Sequence, residues 1–431
     1  MHLLKWLYPG LKFKRWLFLF AIGVLLTGMG LAVVFNYKYL DSFEELVFYV
    51  TYTWTGTYNY TVTALVGSIV ILLGVVIMLL ATRMIIRSLI TVLVPDKSSR
   101  LVDMIYEHRR LDKGPNITVV GGGTGLSVLL RGMKEATRNV TAVVTVADDG
   151  GSSGRLREEF NVIPPGDLRN CLVALADTEP MMEKLFQYRF SGNSDLAGHS
   201  FGNLFITAMT EVTGDIEQAL KESSRVLAVK GRVFPATTSK VRLNATMEDG
   251  TFVEGESQIP LVHKRIKRVH IFPHHVEAVP SALKAIYEAK VIVLGPGSLY
   301  TSVIPNLLVD DIAKAIRESN AVKIYICNVM TQPGETDDYT ASMHVKALIE
   351  HGGNGIVDYV LVNNKPISQE MQEHYAQEGQ YPVLVDENAI ESLGVKCFKA
   401  DIIDDSQMIH HDSQKLAHQV MEIYHTLQQD N

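Results

Sequence analysis

The segment from Asn116 to Arg157 limits the fold more than any other part of the sequence. It reads as an apolar strand, the glycine turn Gly121-Gly-Gly-Thr-Gly125, a helical stretch, a second apolar strand and a second glycine turn. In an open parallel sheet, the carboxyl ends of neighbouring strands lie side by side. The two glycine turns are therefore expected to face the same ligand.

Continuous apolar runs recur further along the chain, at 290–295, 322–328 and 357–363, and helical patterns separate them. Runs of this kind are typical of parallel strands that are buried on both faces. Residues 231–277 differ, because they predict a β-hairpin that turns at Asp249-Gly250. The sequence thus predicts an α/β fold: a Rossmann-like, doubly wound, mainly parallel sheet with a β-containing insertion.

Two uncharged runs near the N-terminus are each long enough to cross a bilayer. Trp16 to Phe35 spans 20 residues and Thr61 to Thr82 spans 22, and about 20 apolar residues cross the hydrocarbon core as a helix. A cleaved signal peptide is the alternative for the first run, but that run is too long and no small-residue cleavage site follows it. Residues 1–95 are therefore predicted to form a two-span membrane anchor.

The flanking charges predict the orientation of this anchor. Basic residues precede the first run and follow the second, whereas the connecting loop carries acids. Because basic flanks stay on the cytoplasmic side, both termini are placed in the cytoplasm and the protein is placed at the cell membrane. A charged linker helix is predicted at 96–115, and the α/β domain follows at 116–431.

The composition excludes several classes of protein. A formal net charge of −7 argues against a nucleic-acid binder, which usually carries a basic domain or stripe. The three cysteines are far apart and indicate a reducing compartment. The sequence contains no Walker A loop, no nucleophile elbow and no His-Glu-x-x-His zinc pattern.

The first glycine turn has the composition of a phosphate-binding loop. Glycines let backbone N–H groups approach a phosphate at the positive end of the following helix, and a threonine adds a hydroxyl donor. The turn departs from the dinucleotide fingerprint, because Leu126 or Val128 stands where the third glycine is needed. An NAD-dependent oxidoreductase is therefore disfavoured. The candidate ligand-binding residues here are Gly122, Gly123, Thr124 and Gly125.

Acids, serines and an arginine follow the second strand. Carboxylates at this place commonly accept a ribose hydroxyl or hold a metal, and serine and arginine side chains suit a second phosphate. An ordinary Asp-Asp-Gly-Gly turn is the alternative interpretation. The candidates are Asp148, Asp149, Ser152, Ser153 and Arg155.

Three later polar turns add candidates. Pro164-Pro-Gly-Asp-Leu-Arg-Asn170 and Gly198-His-Ser-Phe-Gly-Asn203 open helices, so their polar residues are either helix caps or ligand contacts. The third turn, Gly295-Pro-Gly-Ser298, again places N–H and hydroxyl donors at the carboxyl end of a strand. The candidates in the three turns are Asp167, Asn170, Asn203, Gly295, Gly297 and Ser298.

Five blocks of sequence resemble the YvcK (gluconeogenesis factor) family, which is related to the CofD 2-phospho-lactate transferases. The resemblance covers about Asn116 to the C-terminus and leaves out the membrane hairpin. It implies a nucleotide ligand, a UDP-sugar such as UDP-N-acetylglucosamine, and a role in carbon metabolism, cell-wall supply and cell shape. In order, the blocks are Gly-Gly-Gly-Thr-Gly-Leu-Ser, Asp-Asp-Gly-Gly-Ser-Ser-Gly-Arg-Leu-Arg, Pro-Pro-Gly-Asp-Leu-Arg-Asn, Gly-His-Ser-Phe-Gly-Asn-Leu and Leu-Gly-Pro-Gly-Ser-Leu-Tyr-Thr-Ser.

The resemblance also implies roles for particular residues. The family's sugar-nucleotide contacts fall on Thr124 and Tyr375, and a family arginine falls at His410, where this chain lacks it. The transferase relatives hold a divalent metal, and the matching Asp149 and Asp167 imply Mg²⁺. Two functions stay open: a UDP-sugar-binding regulator, and a metal-dependent transferase acting on a nucleotide-diphosphate-linked substrate. The expected partners are the membrane, a second copy of the chain and cell-envelope regulatory proteins.

Overall fold

The computed structural model divides the chain into two compact units, Met1–Glu107 and His108–Asn431. The structure describes residues 13–35, 45, 49–50, 52–53, 56, 60–93, 109–177, 180–404 and 408–429.

The N-terminal unit contains two long apolar helices, α1 (Phe13–Phe35) and α2 (Tyr60–Leu93). Glycines let their backbones approach closely: a Cβ atom at Gly30 would lie 2.8 Å from the carbonyl oxygen of Gly67, and one at Gly74 would lie 2.8 Å from that of Gly23. Small residues at such crossings are typical of helices that pack inside a membrane.

The prediction that two segments span a membrane is supported by the length and composition of the two helices alone. Segments Lys14–Val34 and Ala64–Ser88 have mean hydropathies of 2.5 and 3.0 and are long enough to cross a membrane. Most of the loop between them and residues 96–108 of the predicted linker helix lie outside the described residues, whereas residues 109–112 are helical.

The second unit is built on strands whose apolar, β-branched runs suit burial on both faces. All four residues of the strand at Val291–Leu294 are buried, for example. The strands in chain order are β1 Ile117–Gly121, β2 Val140–Val144, β3 Arg232–Pro235, β4 Arg242–Met247, β5 Phe252–Glu254, β6 Ile266–Phe272, β7 Val291–Leu294, β8 Val322–Ile326, β9 Tyr359–Asn363, β10 Lys396–Ala400, β11 Ile403–Asp404 and β12 His410–His411.

Helices flank the strands, and each buries one apolar face. The helix at Asp310–Glu318 buries Ile312 and Ile316, while its first turn holds acids that favour a helix N-terminus. The helices of this unit are α3 Gly123–Ala136, α4 Gly151–Glu159, α5 Gly166–Leu175, α6 Pro180–Gln187, α7 Phe201–Thr213, α8 Ile216–Val226, α9 Pro280–Glu288, α10 Ile304–Leu307, α11 Asp310–Glu318, α12 Ala341–Gly352, α13 Gln369–Ala376, α14 Glu387–Ser392 and α15 Ser413–Gln429.

Seven strands form one parallel sheet in the order β10-β9-β8-β7-β1-β2-β3. The predicted Rossmann-like, mainly parallel α/β architecture is confirmed. The chain proceeds from β1 to β2 and β3 on one side and then returns to β7 on the other side of β1. The strand order therefore reverses between β1 and β7, and ligands bind in the crevice at the carboxyl ends of such strands.

The insertion is a separate three-stranded antiparallel sheet in the order β5-β4-β6. The hairpin between β4 and β5 turns where the sequence predicts it: Gly250 has a φ of 85°, and the N–H of Thr251 donates to the side chain of Asp249. The predicted bounds of 231–277 are too wide, because β3 pairs with β2 as the edge strand of the main sheet.

Candidate functional site

Two glycine loops meet backbone to backbone where the strand order reverses. A Cβ atom at Gly125, in the first turn of α3, would lie 2.8 Å from the carbonyl oxygen of Pro296, which follows β7. One at Gly297 would lie 3.1 Å from the carbonyl oxygen of Gly122. Gly123 and Gly295 have φ values of 67° and 76°, which side-chain-bearing residues rarely adopt. Only glycine therefore fits this crossing.

A cavity of about 300 Å³ opens beside this crossing, and we call it the switch-point cavity. The N-terminus of α3 borders it, so backbone N–H groups and the positive end of the helix dipole face a ligand there. The cavity is lined by Gly123, Thr124, Gly125, Pro296, Gly297, Ser298, Ser302, Asn328, Val329, Met330, Thr331, Gln332, Gln380, Ile409, His410 and His411.

A chain of side-chain hydrogen bonds fixes one wall of the switch-point cavity. The Nε2 of Gln332 donates to the Oγ of Ser298 at 2.9 Å, and the Nδ2 of Asn328 donates to the Oε1 of Gln332 at 3.2 Å. The hydroxyl proton of Ser298 is left for another acceptor. This wall therefore presents an oriented hydroxyl donor next to the glycine crossing.

Two candidates late in the chain take different positions. His410 lines the switch-point cavity and is exposed, with its Nδ1 2.8 Å from the carbonyl oxygen of Met408. Tyr375 is buried, and its hydroxyl accepts a hydrogen bond from the N–H of Ile409 at 2.9 Å. Tyr375 thus holds the segment that carries His410 and does not itself line the cavity.

A smaller cavity of about 180 Å³ adjoins the switch-point cavity and shares Asn328 and Val329 with it. It lies at the carboxyl ends of β8 and β9. Its polar lining consists of the amides of Asn328, Asn363, Asn364 and Gln372 together with Lys365. Valine, proline and isoleucine side chains form the apolar part of its wall. We call it the amide cavity.

Asp167 lies directly beneath the first glycine turn. A Cβ atom at Gly122 would lie 2.6 Å from its Oδ2, and its carboxylate accepts a hydrogen bond from the N–H of Gly123. Asp167 is the second residue of α5, whose N-cap is Pro165, so it is not the helix cap. Burial raises its pKa to about 6, with a further contribution from the charge of Asp148.

Asp149 fastens the insertion to the main sheet. Its two carboxylate oxygens accept hydrogen bonds from the N–H groups of Glu256 at 3.0 Å and Ser257 at 2.9 Å. Glu256 is thereby held among acids, and burial together with the charges of Asp148 and Asp149 raises its pKa to about 8. Asp148 itself accepts from the N–H of Gly150 at 2.9 Å.

Glu335 is a second carboxyl group that the sequence reasoning did not single out. The hydroxyl of Thr301 donates to its Oε1 at 3.0 Å, while its Oε2 is buried without a partner. Burial raises its pKa to about 7. Glu335 lies in the polar run that follows β8, and a polar run after a buried strand could have indicated it as a site residue. Nothing in the sequence marks Glu256, because it belongs to the insertion.

The predicted metal role of Asp149 and Asp167 gains no support from this geometry. Each oxygen of Asp149 accepts a hydrogen bond from a backbone N–H group of the insertion, so the structure assigns this carboxylate a structural contact. Within the described ranges of the chain, His, Cys, Asp and Glu side chains do not form a group of three or more that could hold a metal ion. No chemical step through Mg²⁺ follows from this arrangement.

Ser152, Asn203 and His199 form a buried network apart from the switch-point cavity. The Nδ2 of Asn203 donates to the Oγ of Ser152 at 3.1 Å, and this Oγ lies 3.0 Å from the Nδ1 of His199. Arg169 donates to the Oδ1 of Asn203 at 2.9 Å and to that of Asn170 at 2.6 Å, while its Nε is buried without a partner. Apart from that Nε, these polar groups bond to one another.

The other candidates of this region also contact protein groups. Arg155 donates to the carbonyl oxygen of Ala197 at 2.7 Å. Ser153 is buried against Gly166, where an added Cβ atom would lie 2.3 Å from the serine Oγ. The structure therefore divides the sequence candidates between the switch-point cavity and this adjoining polar region. The polar cavity residues outside the predicted set are Ser302, Asn328, Thr331, Gln332, Gln380 and His411.

The parallel sheet, its strand-order reversal and the glycine crossing define a CofD-type α/β protein. The family model described as 2-phospho-L-lactate transferase CofD matches residues 117–403 of the chain. A "Putative gluconeogenesis factor" of Nostoc sp. is 49% identical over 97% of this chain and 92% of its own length. The "Gluconeogenesis factor" of Bacillus subtilis is 51% identical over 70% of this chain and 96% of its own length.

The chain belongs to the gluconeogenesis factor (YvcK) family. It is similar to a solved structure described as a member of the UPF0052 family from Bacillus halodurans, with a TM-score of 0.70 and 52% identity over 72% of this chain and 99% of that one. A "Putative gluconeogenesis factor" of Clostridium acetobutylicum is 42% identical over 97% of this chain and 91% of its own length. The match to this relative and to that of Nostoc therefore extends into the N-terminal unit.

Glu256→Gln is expected to remove a loss of folding stability that increases as the pH rises. The folded pKa of Glu256, about 8, lies above its ordinary value of 4.5, so the folded chain keeps a proton that the unfolded chain releases. The free energy of unfolding therefore falls as pH rises through this range. Thermal unfolding followed by circular dichroism should show an unchanged Tm at the acidic end and a Tm raised by about 2 °C or more at the alkaline end, if roughly 1 kcal/mol is recovered.

The matched control for this measurement is Glu254→Gln, because Glu254 is exposed. Its Tm should follow that of the unmodified chain at every pH. An equal shift of the Glu256→Gln variant at both ends of the pH range would contradict the assignment.

Proposed function

We propose that the chain is a cytoplasmic UDP-sugar-binding regulator of carbon metabolism, cell-wall supply and cell shape, tethered to the membrane by its N-terminal hairpin. The observation that carries this proposal is the switch-point cavity beside the glycine crossing. Nucleotides bind at this position in open α/β sheets. The name gluconeogenesis factor, which the curated relatives carry, supports a role in carbon metabolism.

The diphosphate of the ligand suits the switch-point cavity. Backbone N–H groups at the N-terminus of α3 can donate to phosphate oxygens, and the glycines at Gly123 and Gly125 leave their approach open. The hydroxyls of Thr124 and Ser298 add donors that need no counter-charge. Neutral donors of this kind can bind a diphosphate, and they can also bind other anions of similar shape.

The uracil base suits the amide cavity. A uracil edge offers both donors and acceptors, and so does the amide of Asn364. The amide of Asn363 is held by the backbone of Lys365, and the Nε2 of Gln372 donates to the carbonyl oxygen of Ile367, so these two amides offer only their remaining proton and lone pairs. The valine, proline and isoleucine walls provide apolar surface for the faces of the ring. Because the two cavities share Asn328 and Val329, a nucleoside diphosphate can extend from one into the other.

A CofD-type transferase is the second candidate function, and the carboxyl groups favour it. Asp167 and Glu256 have pKa values near 6 and 8, so each exchanges a proton close to neutral pH. Such groups suit general acid–base work. Asp167 also contacts the glycine turn that borders the switch-point cavity. The match of the CofD family model to residues 117–403 points in the same direction.

Thr124→Ala is expected to weaken UDP-N-acetylglucosamine binding by about tenfold or more, because a hydrogen bond to a charged group contributes about 1.5–3 kcal/mol. Isothermal titration calorimetry on the full chain in detergent measures this. Thr426→Ala is the matched control, since Thr426 is exposed on α15 and does not line the switch-point cavity. Absence of heat with every UDP-sugar tested would refute sugar-nucleotide binding.

The full chain is expected to remain in the membrane fraction after a carbonate wash and to dissolve in detergent, because two apolar helices are long enough to cross the bilayer. Residues 109–431 are the control and should stay in the soluble fraction. A C-terminal reporter should resist external protease in spheroplasts. Release by carbonate would contradict the anchor, and digestion of the reporter would contradict the orientation.

Asp167→Asn separates the second candidate function from the first. If the chain is a transferase, it moves the phosphoryl-linked group of a nucleotide-diphosphate-linked substrate to an acceptor hydroxyl and releases a nucleoside monophosphate. With donor and acceptor both present, this variant should abolish the release. Mass spectrometry of the nucleotide products measures it, with Asp195→Asn as the exposed control. Turnover that is equal in both variants would count against a role of Asp167 in a transferase reaction.

A further inference from the structure

The insertion sheet has one buried face and one open face. Its inner face is apolar, as the side-chain alternation along an antiparallel sheet requires. Its outer face is not covered by any element within the described ranges, and its side chains are half-buried or exposed. The buried inner residues are Leu243, Ala245, Met247, Val253, Ile266, Val269 and Ile271.

The outer face differs from an ordinary solvated sheet face. It carries two phenylalanines, Phe252 and Phe272, which are 55% and 59% exposed. A concavity of about 450 Å³ lies on this face, and we call it the insertion cavity. This volume falls within the range of about 300–1,000 Å³ that is usual for small-molecule sites. The lining residues are Arg242, Asn244, Phe252, Glu254, His270, Phe272 and His274.

The strand register places these side chains in successive rows along the insertion cavity, which therefore has two ends and a middle. Arg242 on β4 pairs directly with Phe272 on β6, so these two residues occupy the same row of the sheet, and the ring of Phe272 meets that of His274 edge to face at 6.0 Å between centroids. The next outward-facing row pairs Asn244 with Glu254 on one side and His270 on the other. The cavity therefore has a cationic, aromatic end followed by a polar middle, and Phe252 is the apolar residue toward the far end.

The middle of the insertion cavity has donors that remain for a ligand. The Oδ1 of Asn244 accepts from the N–H of Gly255 at 3.3 Å, which leaves its NH₂ group free to donate into the cavity. The Nε2 of His270 lies 3.3 Å from the hydroxyl of Thr246. Hydroxyl or carbonyl groups of a ligand would find partners here.

Positive charge is concentrated at one end of the face, where Arg242 and Arg157 lie close enough to interact, and the lining acid Glu254 lies in the middle row. Burial lowers the pKa of His270, and the positive neighbours Arg268 and His274 lower it further. Arg157, on α4, has a buried NH1 group without a partner, and its pKa is lowered by burial and by the charge of Arg242. Asp149 and Asp148 offset part of the positive potential at Arg157, but they are not lining residues of the insertion cavity. Among the lining residues Glu254 is the one acid.

We propose that the insertion cavity binds a small organic anion that carries a flat apolar ring, with the anionic group at Arg242 and the ring against Phe272. This site lies beyond the sugar-nucleotide function, because none of its residues lines the switch-point or amide cavity. A small molecule fits better than a nucleic acid, since the whole chain carries a net charge of −7. Aromatic side chains beside a cation are a common means of binding ring-bearing anions.

The experiment uses the full chain in detergent and three probes: phenyl phosphate, inorganic phosphate and benzyl alcohol. Phenyl phosphate is expected to bind, and the other two at least about tenfold more weakly, because each lacks one of the two groups recognised. Calorimetry gives the affinities. Binding of phenyl phosphate should also shift the ring resonances of His270 in NMR spectra.

Arg242→Gln is expected to weaken phenyl phosphate binding by about tenfold or more through loss of a charge-assisted hydrogen bond. Lys240→Gln removes an exposed positive charge just outside the cavity and is the matched control, with affinity unchanged within about twofold. Phe272→Ala should weaken phenyl phosphate but not inorganic phosphate. UDP-N-acetylglucosamine binding is measured on each variant, so that this proposal and the sugar-nucleotide proposal fail independently.

Three outcomes would overturn the proposal. The first is that phenyl phosphate gives no heat with the unmodified chain. The second is that it binds Arg242→Gln as tightly as Lys240→Gln. The third is that inorganic phosphate binds as tightly as phenyl phosphate, which would show an anion site without recognition of a ring.

Discussion

The contact between the two glycine loops is the constraint on which the rest of the site depends. Gly125 and Gly297 let the turns after β1 and β7 approach within van der Waals distance, where any side chain would collide with a backbone carbonyl. The approach brings the N-terminus of α3 to the point where the strand order reverses. Backbone N–H groups, which carry no sequence signature of their own, thereby become the floor of a ligand cavity.

The attachment of the insertion holds several acids close together in surroundings that disfavour their ionised forms. Asp149 accepts hydrogen bonds from two backbone N–H groups of the insertion, and this attachment places Glu256 among other carboxylates. A raised pKa is the physical cost, because the ionised form of Glu256 is disfavoured by burial and by like charge. Since insertion strands and main-sheet strands are otherwise separate sheets, Asp149 couples the position of one to the other.

The sequence was sufficient to predict the central strands of the main sheet, because β1, β2, β7, β8 and β9 are apolar runs followed by polar turns. It was insufficient for β3, which is short, begins with an exposed arginine and has no such pattern. Side-chain partners were harder still. Tyr375 was expected to contact the ligand, but whether a tyrosine hydroxyl faces a cavity or a backbone N–H depends on packing between distant segments. Glu256 lay beyond prediction for the same reason.

The residue at 410 bears on how the proposed diphosphate site can bind without a permanent cation. Lysine and arginine are absent from the described residues that line the switch-point cavity, and His410 stands where the family resemblance implies an arginine. A charge-assisted hydrogen bond contributes about 1.5–3 kcal/mol, whereas a neutral one contributes about 0.5–1.5 kcal/mol. Two or three neutral donors, from Thr124, Ser298 and the α3 N-terminus, can therefore replace the arginine. Binding by neutral donors also depends less on salt than binding by a cation.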